Sequence, residues 1–362
     1  MRTFEPCCLA TAIQGMSHVD VNRACQVVLD NFPEIPILPN LSKVAFLHGA
    51  LRSCEGMPCL AIDEEKGRVY FDTSKNLTEE LSRFYERYLA QNLDAVACTP
   101  RGEPGFHAML AALQERRPPE LQIIKFGISG PISLSMSKHD ENHKPIFYHE
   151  ALRDAVFKAL AMKVQWQEKV LNETFPGVQT IVQIGEAFLG MVGSPFVSIK
   201  REEVLNALAE IIGASSGLTF IHCCANTDWP LLLETGANAI SFDAYEYVDR
   251  VALYPEEIKN YLAKGGILAW GIVPTSNDKI TRETPESLLE RLEASMELLV
   301  QKGIDKELLV RQALITPSCA TGAMTVPLAE TVFQYTKRIS TTMRQRYFSR
   351  KSAGISSKGR GS

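Results

Sequence analysis

The sequence predicts a closed (β/α)8 TIM barrel, and three observations carry that prediction. Short apolar, β-branched runs alternate with longer helical patterns through most of the 362 residues. Eight such runs occur, the number at which a parallel sheet closes on itself. Residues able to do chemistry fall just after several of the runs, where such barrels carry their active groups. An open doubly wound sheet would show a glycine-rich phosphate turn after its first strand, and no G-x-G-x-x-G occurs.

The elements follow in order. Residues 9–15 form the first strand run, and 21–31 carry a helical pattern. A proline-rich stretch (32–39) and a hairpin pattern (59–71), with Asp-Glu-Glu-Lys-Gly at its turn, come next. Residues 77–91 read as a helix leading into a second strand at 95–99. The interval from His18 to Asn92 is too long for one βα connection, so residues 19–92 are expected as an insertion across one mouth of the barrel. Strands three to eight are expected at 123–128, 180–184, 218–222, 239–243, 267–272 and 313–316. Among the helices between them, 150–171 is amphipathic, and 200–212 opens with Glu202 and Glu203, which the helix dipole favours. A third covers 285–302, with Thr284 as N-cap before Pro285. Residues 1–343 are thus expected as a single barrel domain and 344–362 as a basic, disordered tail.

Composition sets the remaining bounds. Hydrophobic residues make up 45% and charged residues 22%, ordinary for a chain with a substantial core. No apolar run approaches the ~18 residues of a membrane helix, and no signal segment opens the chain, so a cytoplasmic protein without membrane contact is expected. Nine cysteines in no regular framework fit reduced thiols. Cys7, Cys8, Cys25, Cys54, Cys59 and Cys98 read as small core residues. From Lys337 onward there are eight Lys or Arg and no acid, against a net charge of -4 for the whole chain. That basic end reads as a solvated terminus, and no nucleic-acid partner is expected.

The most informative residues are His222 and Cys224, in Thr-Phe-Ile-His-Cys-Cys-Ala-Asn. A strand repeats every two residues, so these two side chains leave the strand end on one face while Cys223 points to the other. An imidazole and a thiolate on one face supply two of the three protein ligands of a catalytic zinc site. Asp243 ends the sixth strand and Cys319 follows the eighth, so barrel closure would gather all four over the axis.

These positions resemble the zinc-binding catalytic half of cobalamin-independent methionine synthase, in the superfamily that includes uroporphyrinogen decarboxylase. Gly15-Met-Ser-His18 stands at the turn after strand one, and Ser129-Gly-Pro131 at the Gly-Pro turn after strand three. Gln183-Ile-Gly-Glu186 stands where the synthases have Gln-Ile-Asp-Glu. His222-Cys-Cys224 is similar to the His-x-Cys zinc motif, Ile240-Ser-Phe-Asp243 to the strand bearing the carboxylate ligand, and Thr316-Pro-Ser-Cys319 to the segment with the last thiolate. The similarity covers residues 9 to 340. It implies Zn²⁺ held by His222, Cys224 and Cys319, with Asp243 as a weak fourth ligand and Glu246 as the alternative carboxylate. It also implies methyl transfer to a small-molecule thiol that the zinc keeps deprotonated.

Three departures modify that expectation. Gly185 replaces the aspartate that helps hold the amino-acid substrate, Val273 stands near a histidine proposed as general acid, and one barrel replaces two. Methyltetrahydrofolate needs its leaving nitrogen protonated, whereas cobalt(I) leaves without a proton. A methylated corrinoid protein is therefore the expected donor. Glu186 and His18 are the catalytic candidates, and Glu103, Ser129, Gly130 and Tyr245 the substrate-binding ones, with Trp229 as a wall. His139, His143 and His149 read as a solvated loop, because Pro145 opposes a sustained helix there. A metal-free decarboxylase and a non-catalytic corrinoid-docking barrel are the alternative classes.

Overall fold

The computed structural model describes residues 4–44, 53–63, 65–74, 76–195 and 197–348. Among them are thirteen α-helices, a two-stranded hairpin (β1 Leu60–Asp63, β2 Arg68–Phe71) and a six-stranded parallel sheet. The sheet strands are β3 (Ile123–Ser129), β4 (Gln179–Gly185), β5 (Leu218–Cys223), β6 (Ala239–Phe242), β7 (Ile267–Val273) and β8 (Ala313–Pro317). They pair strictly in chain order, each with the next. Nearly every strand residue is buried, which is why these segments read as continuous apolar runs.

Alternation divides the buried residues into two cores. Ile123, Ile181, Phe220, Ala239, Ile267 and Leu314 belong to a small cluster on one face of the curled sheet. Their sequence neighbours Ile124, Val182, Ile221, Ile240, Leu268 and Ile315 join the larger core on the other. The parity puts His222 on the small-cluster face, two residues past Phe220, and Cys223 with the outer core.

Among the described residues the ladder has six strands, short of the eight expected from the sequence. Two extended segments stand at the sheet edges, joined by isolated bridges. Ala10 bridges Ile315 beside β8, Ile37 bridges Lys125 beside β3, and Met16 bridges Leu41 between the two segments. Pro33, Pro36 and Pro39 fall in or beside the second segment, and each removes an N–H donor, so only a broken ladder can form there.

The expected second strand is corrected as well. Residues Leu93–Val96 form a 3-10 turn against the long helix Glu150–Thr174, held by Lys163 Nζ donating to Val96 O (2.8 Å) and Trp166 Nε1 to Asp94 (3.2 Å). Periodicity does not separate a short buried strand from another buried segment. Within the expected insertion, the helix Val21–Asn31 and the hairpin are present. The hairpin reaches the segment after the helix Pro131–Ser137, where Phe71 N donates to His139 O and Arg68 to Asp140 O.

Thr284 caps its helix as expected, accepting from Ser287 N. The last helix runs to Phe348, into the segment expected as tail; residues 349–362 lie outside the described ones. No described helix is long and apolar enough to cross a membrane.

Candidate metal centre

The carboxyl ends of β4, β5, β6 and β8 build one site. A ring nitrogen of His222 and the sulfurs of Cys224 and Cys319 all lie within 4.8 Å of one another. Among the described residues, this is the one group of three or more such side chains close enough to share an ion. His222 sits near the end of β5, Cys224 just past it, and Cys319 two residues beyond β8. Cys223, one residue away, is buried elsewhere, with its Sγ 3.5 Å from Ala225 O and its thiol pushed up to about 12 by burial.

The His222 ring is already oriented. Its Nδ1 lies 3.0 Å from Ser241 Oγ, and Ser241 is the direct cross-strand neighbour of His222 on β6. With Nδ1 engaged there, Nε2 is left as a buried nitrogen without a hydrogen-bond partner. A buried polar atom without a partner is costly. An imidazole fixed through its far nitrogen, with the near one bare toward two sulfurs, is how a metal-binding histidine is held. The donor set of one nitrogen and two sulfurs suits zinc.

The two sulfurs are coupled. Contact with Cys319, and then with His222, holds the Cys224 thiol well below its ordinary range against the opposing effect of burial. The same contact, with burial, pushes Cys319 upward.

The two candidate carboxylates stand beside the cluster. Asp243 is the N-cap of the helix Ala244–Val251, accepting from Glu246 N at 3.0 Å, and it lies outside the three-residue cluster. Burial raises it to about 7, with Glu246 and Cys224 adding to the effect. Glu246 is paired to Lys279 at 2.6 Å. Both carboxylates line a cavity of about 180 Å³ together with Cys224, Cys319 and Tyr245. Tyr245 donates to Glu283 (2.7 Å) under the guanidinium of Arg291, which fits a wall of that cavity.

The same two sulfurs also line a second cavity of about 230 Å³, together with Ser129, Ser133, Gln183, Gly185, Glu186 and His222 among others. Glu186 is fully buried, and its oxygens accept from Ile132 N (2.9 Å), Ser133 N (2.8 Å) and Ser133 Oγ (2.7 Å). Burial raises its pKa to about 7, while those hydrogen bonds oppose the rise. This carboxylate ties the end of β4 to the start of the helix Pro131–Ser137. Gly130 is required at that junction, since a Cβ there would stand 2.2 Å from Glu186 Cδ.

His18 and Glu103 are not brought to the cluster and line neither cavity. His18 Nε2 lies 3.2 Å from Glu330, which is also bound by Arg23 at 2.7 Å, so the residue joins a network with the last helix. Glu103 precedes the helix Pro104–Glu115 and receives the Cys98 thiol at 3.7 Å. Trp229 packs edge-on against Phe242 in the outer core, away from the cavities. Of the three loop histidines, His149 pairs with Asp140 at 2.9 Å, and none joins the cluster. Sequence reasoning missed Ser241, although counting inward positions from Ala239 on β6 would have found it.

A B12-independent methionine synthase from Shewanella sp. W3-18-1, solved in complex with selenomethionine, aligns with a TM-score of 0.47 and 15% identity. The alignment covers 66% of this chain and 67% of that one. The GH113 β-mannanase AaManA from Alicyclobacillus acidocaldarius aligns with a TM-score of 0.39 and 11% identity, over 93% and 97% of the two chains. Neither likeness is close enough to carry chemistry across. No family model matches the chain, and no match is found among curated proteins.

Proposed function

We propose that this protein is a zinc-dependent methyltransferase that places a methyl group on a small thiol. The observation that carries the reading is the oriented, unpartnered His222 Nε2 beside the sulfurs of Cys224 and Cys319. His222, Cys224 and Cys319 would hold the metal, and the nearby Asp243 is the proposed weak fourth ligand, with Glu246 engaged by Lys279. When bound, zinc keeps a coordinated thiol deprotonated at neutral pH and open to alkylation.

The protein's own groups supply orientation and access. Ser241 fixes the imidazole, and Glu186 positions the helix whose first turn walls one cavity. Two cavities share the sulfur pair, and transfer between two ligands needs room for both. A methylated corrinoid protein is the proposed donor. Val273, at the end of β7, is fully buried and has no proton to give a folate leaving group. The ordered His-x-Cys, carboxylate and Cys along the strand ends supports the same reading. A decarboxylase that grips carboxylates would need basic side chains. Among the described residues lining either cavity the one Lys or Arg is Lys279, already paired with Glu246.

The test is the metal content of protein purified without chelator, wild type against Cys319→Ser. One zinc per chain, sharply reduced in the variant, is the expected result, followed by thiol-dependent demethylation of methylcobalamin. No zinc after reconstitution under reducing conditions overturns the proposal.

A further inference from the structure

All nine cysteines are free thiols, and six of them, Cys223 included, are buried. The partly exposed ones are Cys7, Cys224 and Cys319. Two of those three meet, since the sulfurs of Cys224 and Cys319, carried by the ends of β5 and β8, lie within 4.8 Å of each other. The buried thiols beside them in sequence are engaged elsewhere. Cys223 Sγ donates to Ala225 O at 3.5 Å, and Cys8 Sγ, next to Cys7, donates to Val310 O at 3.3 Å.

The pair is also reachable. Both residues line cavities of about 180 and 230 Å³, which leaves room for a small peroxide beside the sulfurs, given that one water occupies about 30 Å³. Cys224 is the first residue past β5, and Cys319 stands in the irregular segment 318–325 between β8 and the last helix. Neither is held in the strand ladder, so each can follow its sulfur toward an S–S bond of about 2.05 Å.

We infer that Cys224 and Cys319 form a redox switch, in which a hydroperoxide joins them in a reversible disulfide and so disarms the metal centre. One sulfur attacks the peroxide, the O–O bond breaks and hydroxide or alkoxide leaves, giving a sulfenic acid. The second sulfur attacks that sulfur, the S–O bond breaks, and the departing hydroxide takes up the thiol proton as water. Two thiols and one hydroperoxide thus give one disulfide, one alcohol (water, from hydrogen peroxide) and one water, with two electrons passing from sulfur to oxygen. A metal binds the thiolate, so the disulfide leaves His222 alone of the three ligands. That consequence rests on the zinc reading; formation of the disulfide does not.

The test uses the full chain, zinc-free and zinc-loaded, with hydrogen peroxide added in small steps. Remaining thiols are alkylated, and linked peptides are mapped by mass spectrometry without reduction. Alkylatable thiols should fall from nine to seven per chain, with Cys224 and Cys319 in one linked pair, and dithiothreitol should restore all nine. Zinc passed to a chromophoric chelator, above an unoxidised control, should match the disulfide mole for mole. Cys319→Ser should stop at a sulfenic acid on Cys224, trapped by dimedone, whereas Cys223→Ala should still form the disulfide. A Cys223–Cys224 linkage, sulfinic acid in place of the disulfide, or earlier loss of the Cys7 thiol overturns the proposal. The disulfide in a chain that binds no zinc when reduced defeats the metal reading alone, and zinc bound without a disulfide on oxidation defeats the switch alone.

Discussion

Replacing Ser241 by alanine isolates the geometry that makes His222 a ligand. Ser241 is fully buried, His222 is 5% exposed, and the 3.0 Å contact between them is the one that fixes the ring. Water has no ready access to replace the lost hydroxyl, so a bound imidazole would keep an unpartnered Nδ1–H at a cost of about 1–3 kcal/mol. Loss of a group orienting a metal-bound histidine weakens metal binding about 10- to 100-fold, or roughly 1.4–2.7 kcal/mol, which agrees with that cost. In the metal-free protein the ring is free to turn toward the sulfurs, so the cost should fall mainly on the zinc-bound state. Unfolding of apo Ser241→Ala in urea should therefore stay within about 1 kcal/mol of wild type. Competition for zinc against a chromophoric chelator should show the full loss. Thr316→Val is the control, because its buried Oγ1 has no partner and its removal leaves the ring untouched. Wild-type zinc affinity in Ser241→Ala, or an equal loss in Thr316→Val, would refute the reasoning.

Three further outcomes follow from buried polar groups. Lys125 is fully buried, with Nζ donating to Ala12 O at 2.8 Å and lying over the Phe220 ring, and burial holds its pKa well below the ordinary lysine value. In the window between that lowered pKa and about 10.4, the unfolded chain carries a proton that the folded one does not. Stability should therefore rise with pH by about 1.4 kcal/mol per unit there, and urea unfolding of Lys125→Met should lose that slope. Glu168 accepts from Ser215 Oγ, from the N–H and hydroxyl of Ser216 and from Gly217 N, tying the helix Glu150–Thr174 to the loop before β5. Glu168→Ala strands those donors and should lower stability by about 2–3 kcal/mol, read from the shift in denaturation midpoint. Gly130→Ala should destabilise by about 1–3 kcal/mol, because the new Cβ would overlap Glu186; no change in midpoint would contradict the packing at that junction.

The sequence by itself determined the elements whose cause is local. Strands three to eight, the proline-led helix at Pro285 and the hairpin all stand close to where their patterns place them, since alternation, caps and turns act over a few residues. The shared face of His222 and Cys224, and the exclusion of Cys223, follow from the same two-residue repeat. Tertiary structure decided what depends on competition between distant partners. An apolar run does not name its neighbour, so residues 95–99 gave up the edge beside β3 to the proline-rich segment around Ile37, which came from far earlier in the chain. A carboxylate does not name its donor either. Asp243 accepts from the N–H of Glu246 and Glu186 from the first turn of Pro131–Ser137, while Glu330 is the partner found by His18. Cys319 reached Cys224 only because the strands curl in chain order and return β8 to the same carboxyl edge.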